Sequence, residues 1–95
     1  MAGTGTATID FGAFPGANEA SVAVSVPEIT AGAKCEAFLM ADDTAGTHTA
    51  SDHRYVGLWL ALTCGTPSAG VGFTIYGRSS EQLEGQFSVR YVWAE

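Results

Sequence analysis

Five residues with the chemistry of a reactive site fall within one polar stretch: Asp42, Asp43, His48, Asp52 and His53. Two imidazoles and three carboxylates so close in sequence could ligate zinc, which accepts nitrogen and oxygen ligands tetrahedrally. The carboxylates alone could hold calcium. The spacing matches neither the His–Glu–x–x–His helix nor the twelve-residue calcium loop with its central Gly and terminal Glu. A competing reading needs no ion. Asp, Ser and Thr populate polar loops because their side chains bond nearby backbone, and a histidine can bond within a turn in the same way. The expectation is therefore a hydrogen-bonded loop with no metal and no cofactor, these five residues being the metal candidates to check.

Other chemistry has less support. Ser, His and Asp are present, but the chain has no Gly–x–Ser–x–Gly elbow. Cys64 ends an apolar run, where a thiol is usually inert. A chain of 95 residues offers no deep cleft for a paired-carboxylate site. The pairs Gly3/Gly5 and Gly70/Gly72 lack the strand-to-helix context and following lysine of a phosphate loop, and read as terminus and turn glycines. No catalytic residue is assigned, and the chain is not expected to be an enzyme.

The elements that must position these residues read as strands. Short apolar runs are separated by Gly, Pro, Ser, Asn and Asp, the punctuation of an all-β domain. The first strand is expected over Ala7–Phe11, the second over Glu19–Val26 and the third over Ala33–Ala41. Residues 42–52 form a loop, with a helical turn conceivable from Ser51. The fourth strand is expected over Tyr55–Thr63, with Val56, Leu58, Leu60, Leu62 and Cys64 sharing a face. The fifth covers Val71–Arg78, followed by a turn at Ser79–Gln82. The sixth covers Leu83–Ala94, with a bulge conceivable at Leu83–Gly85.

About six strands at this spacing predict one antiparallel β-sandwich or small jelly-roll-like barrel over residues 1–95, with a flexible N-terminal segment 1–6. Its expected core is Val22, Val24, Leu58, Leu60, Leu62, Phe73, Ile75, Phe87 and Val89.

In the last strand Phe87, Val89, Tyr91 and Trp93 alternate onto one side, opposite Ser88, Arg90 and Val92. A stripe this apolar needs a layer to cover it, and two readings follow. Either the aromatics complete the chain's own second layer, or Tyr55, Trp59, Tyr76, Tyr91 and Trp93 supply an interface with other chains, where Tyr and Trp are favoured. The second reading predicts that neighbouring subunits finish the burial.

Charge narrows the partners. Apolar residues make up 46% of the chain and charged residues only 15%, against about 25% charged in a typical soluble domain. Ten acids outweigh four scattered bases, Lys34, Arg54, Arg78 and Arg90, for a net charge of −6. Without a basic cluster, nucleic acid and anionic membranes are disfavoured. The start lacks the basic and apolar run of a signal peptide, and no apolar stretch approaches the roughly 18 residues that span a bilayer. The expected place is the cytoplasm of the producing cell, or a particle that leaves it. Cys35 and Cys64 are then simplest as buried thiols, a disulfide between neighbouring strands being the alternative.

The runs Ala41–Asp42–Asp43–Thr44 and His48–Thr49–Ala50–Ser51–Asp52–His53–Arg54–Tyr55 resemble small proteins encoded in tailed-phage and prophage genomes. The segment Gly70–Val71–Gly72–Phe73–Thr74–Ile75–Tyr76 and the ending Gly85–Gln86–Phe87–Ser88–Val89–Arg90–Tyr91–Val92–Trp93–Ala94 add to the likeness. The resemblance implies a virion structural role, with other copies of the chain and a major capsid or tail protein as partners; it carries no site residues. The leading expectation is a capsid decoration or cement protein that binds without chemistry. The alternatives are a tail fibre, spike or adsorption component whose exposed Trp59, Tyr76 or Trp93 stacks on host glycans, and a small metal-dependent hydrolase built on His48 and His53.

Overall fold

The computed structural model describes residues 2–13, 15–40, 52–53 and 56–95. Among these residues six strands run in the order β1 (Ala2–Asp10), β2 (Ala17–Ser25), β3 (Lys34–Leu39), β4 (Leu60–Cys64), β5 (Gly72–Leu83) and β6 (Gln86–Ala94). They form two three-stranded sheets, β1-β6-β3 and β2-β5-β4, and every pairing is antiparallel. The first strand pairs with the last and the second with the fifth, the nesting of a rolled ribbon, so the sandwich is jelly-roll-like. All connections but β4–β5 cross from one sheet to the other.

Alternation builds the core. On the first sheet Ile9 and Ala7 of β1 register beside Phe87 and Val89 of β6, with Leu39 of β3 beyond Val89. On the second sheet Val24 and Val22 of β2 register beside Phe73 and Ile75 of β5, with Cys64 of β4 beyond Ile75. These side chains belong to one cluster between the sheets, and Ile9, Ile75, Phe87 and Val89 are fully buried. Rings bridge the layers: Phe73 of β5 meets Tyr91 of β6 edge-on, with centroids 5.4 Å apart.

Four expectations from the sequence need correction. The N-terminal segment from Ala2 to Thr6 is ladder, registered residue by residue with Arg90–Ala94, and so is not a flexible lead-in. Glycine at positions 3 and 5 masks a strand when propensity alone is read. Strand four is shorter than Tyr55–Thr63. Asp52, His53 and Val56 have helical backbone, the Gly57 amide donates to the His53 carbonyl (3.1 Å), and Trp59 donates to Val56 (3.0 Å). This tight winding breaks the two-residue period, so Val56 is buried while Leu58, expected in the core, is 76% exposed.

Third, Ser79–Gln82 is no turn. It continues β5 as an irregular bulge, four residues facing the single Asn18 between the pairs Ala17↔Leu83 and Glu19↔Arg78. The Asn18 side-chain amide donates to the Ser79 carbonyl (3.1 Å), and the Glu81 amide donates to the Ser79 hydroxyl (3.2 Å). Fourth, Val22, Leu60 and Leu62 are only partly buried, packed against the central cluster. Ile9, Phe11, Val26, Ile29 and Trp93 take larger shares of the centre than the sequence suggested.

Candidate functional site

The polar stretch that opened the sequence reading is described at two positions. Asp42, Asp43 and His48 lie outside the described residues. Asp52 is exposed, whereas His53 is buried at 1% exposure. The His53 Nε2 accepts a hydrogen bond from the Ser88 backbone N–H (2.9 Å), and its ring meets Phe87 edge-on at 5.3 Å. That bond occupies the Nε2 lone pair and places the ring proton on Nδ1. Past the last β3–β6 pair, Leu39↔Val89, Met40 donates to the Ser88 carbonyl (3.0 Å). His53 thus satisfies a backbone donor of β6 just where β3 stops. Among the described residues no three His, Cys, Asp or Glu side chains gather as metal ligands.

The aromatic interface candidates divide. Tyr55 lies outside the described residues. Trp93 is only 5% exposed, and Tyr91 is half-buried against the core. Both turn inward over glycines of β1: Gly3 registers with Trp93 and Gly5 with Tyr91. A Cβ on Gly3 would come within 2.6 Å of the Trp93 indole nitrogen, and one on Gly5 would collide with the Tyr91 hydroxyl. The stripe Phe87–Val89–Tyr91–Trp93 is therefore turned into the chain's own core and is no outer patch, and β1 leaves room for its large rings by having no side chain at Gly3 and Gly5. Trp59 is half-buried. Of the candidates among the described residues, Tyr76 alone projects from a strand into solvent, at 50% exposure.

Surface with the character of a contact remains elsewhere. On the outer face of the first sheet Phe38, Arg90 and Thr6 form one cross-strand row, and Glu36, Val92 and Thr4 the next. Phe38 and Val92 are exposed apolar side chains, at 44% and 37%. The flank of this sheet is β1, whose nine residues carry no charged side chain before Asp10. Its Thr4 hydroxyl donates to the Tyr91 carbonyl (2.9 Å), and the Asp10 carboxylate accepts from the Gly12 amide (2.8 Å), closing the strand in an Asx turn.

Both cysteines are free thiols on the inner faces of β3 and β4. Burial pushes the Cys64 thiol up to about 11, with Cys35 and the Glu36 carboxylate adding to the rise. Burial raises Cys35 as well. Such thiols are poor nucleophiles at neutral pH. No match to this chain was found among models of known families, curated proteins or solved structures.

Proposed function

We propose that this chain is a non-catalytic structural component of a phage particle, a decoration or cement protein that attaches in many copies to a shell. The observation that carries the reading is the edge strand β1. Among the described residues it is hydrogen-bonded within the sheet to β6 alone; it runs nine residues and has no charged residue from Ala2 to Ile9. Long uncharged edges template pairing with another chain, and free monomers usually blunt them with lysine, proline or bulges. An edge like this suits a strand supplied by a shell subunit or by another copy. The exposed Phe38 and Val92 on the same sheet extend the contact, and repetition over a shell makes weak contacts add. The resemblance to small phage-encoded proteins points the same way. Rolled β-sandwiches recur in viral shells and in lectins, so the fold is compatible with the role but does not choose it.

The test uses shells prepared without the protein. Added protein should co-sediment with them in many copies and raise their resistance to heat. Lysines at two edge positions, Thr4→Lys with Thr8→Lys, should abolish attachment while leaving the purified protein's own melting temperature nearly unchanged. A chain that stays monomeric and ignores the shells, or a doubly charged edge that binds as before, would overturn the reading.

A further inference from the structure

The outer face of the second sheet carries a groove independent of the β1 edge. Along β5 the outward residues are Thr74, Tyr76, Arg78 and Ser80, and small residues flank them. Ser21 and Thr63 register on either side of Tyr76, and Glu19 and Ala61 on either side of Arg78. Around Tyr76 and Arg78 the surface sinks into a depression of about 650 Å³, bounded by Glu19, Ser21, Ala61 and Thr63. A second hollow of about 470 Å³ shares Glu19 and Arg78 with it and lies beside Asn18 and Ser80. On the other side of Tyr76 lies a third, of about 170 Å³, beside Ala23, Thr66, Ser68 and Thr74. Thr74 to Arg78 alone spans about 13 Å of strand.

Two fixtures stand in this groove. The Tyr76 ring leans over Gly65, where a Cβ would come within 3.1 Å of its Cε2, and it is half-exposed. The Arg78 guanidinium lies 3.8 Å from the Glu19 carboxylate, an exposed pair of no net charge that offers a donor fork and acceptors side by side.

We infer that this groove binds a neutral, linear oligosaccharide. The face of an aromatic ring favours the C–H side of a sugar, and hydroxyl and amide side chains with an Arg–Glu pair match its hydroxyls. A peptide strand is not what the groove offers. β5 is the central strand of its sheet and its backbone is engaged by β2 on one side and β4 on the other, so no ladder is open to an added strand. An acidic glycan fits poorly, because the Glu19 carboxylate stands beside Arg78 and the chain carries a net charge of −6. The site stands whether the module sits on a shell or on a tail.

Titration calorimetry and amide chemical-shift mapping of the full chain test it, using cellohexaose, maltohexaose, mannohexaose and chitohexaose as neutral probes and hexagalacturonate as the charged one. At least one neutral probe should bind, shifting amides of β5 and of its two neighbours, while hexagalacturonate binds more weakly. Tyr76→Ala should weaken binding about tenfold or more, equivalent to about 1.4 kcal/mol. Tyr76→Phe should retain most of the affinity, since the ring face is kept. Arg78→Ala should weaken it independently, and all three variants should still unfold in a single cooperative transition. Shifts confined to the β1–β6–β3 sheet, a preference for hexagalacturonate, equal affinity after Tyr76→Ala, or no binding of any neutral hexasaccharide overturns the assignment. None of these results bears on attachment through β1, which the edge lysines test separately.

Discussion

The central strands of the two sheets use one device on opposite sides of the fold. In β6, Tyr91 and Trp93 lie over Gly5 and Gly3 of the neighbouring β1 and face inward. In β5, Tyr76 lies over Gly65 just beyond β4 and faces outward. In each case the absence of a side chain on one strand makes a seat for a ring on the next. Inside, the ring fills the space between sheets, and Tyr91 closes it against Phe73. Outside, the seat lets a ring lie against the sheet with half of its surface in water. Aromatic–glycine neighbours thus report close cross-strand packing, and the direction of the alternation decides whether the ring contributes to stability or is left for recognition.

Truncating the rings separates the two uses most sharply. Trp93→Ala removes a nearly fully buried indole and should cost about 3–5 kcal/mol in denaturant unfolding. Tyr76→Ala should cost about 1 kcal/mol or less, since half of that side chain is already in water. Equal losses from the two substitutions would mean that both rings are structural and would erase the contrast.

Filling the seats gives a smaller effect. Gly5→Val sets a branched side chain against the Tyr91 ring, which is hemmed in by Phe73, and overpacking should cost about 1–3 kcal/mol. Gly65→Val meets a ring with open solvent above it. Tyr76 can swing away, so melting should change far less than for Gly5→Val, while any ligand of the groove should lose affinity. Equal shifts in melting temperature for the two variants would show that Tyr76 is as confined as Tyr91.

Much of the fold was legible because period-two alternation survives in β2, β5 and β6. Val24, Phe73, Ile75, Phe87 and Val89 are core on that pattern alone. The pattern failed where local winding changed the period. Leu58 alternates with Leu60 and Leu62 in sequence, but the tight turn at 57–59 carries it into solvent. It also failed where the needed information sat on another strand. Read alone, β6 looks too greasy for a small domain. The glycines that accommodate its rings lie more than eighty residues earlier, at Gly3 and Gly5, and their register is a tertiary fact. The sequence offered His53 a bond within its own turn; its bond to Ser88, 35 residues on, was not legible for the same reason. The groove on β5 was invisible because Ser21, Ala61 and Thr63 are unremarkable singly and matter only once aligned beside Tyr76 and Arg78.

The smallest effect lies one residue from the outer seat. Cys64 faces the core and Gly65 lies under Tyr76, so the end of β4 samples both environments. The Cys64 thiol is raised from its ordinary 9.0 to about 11 in the folded chain. A raised value means that the fold prefers the protonated thiol and the unfolded chain ionises first. The corresponding stability is intact below pH 9, falls as pH climbs towards 11, and is gone above it. Unfolding midpoints measured across that window should decline more steeply for the native sequence than for Cys64→Val, in which this titration is removed. Parallel declines would place the Cys64 sulfur in a water-like setting, and the inward half of the alternation at β4 would have to be redrawn.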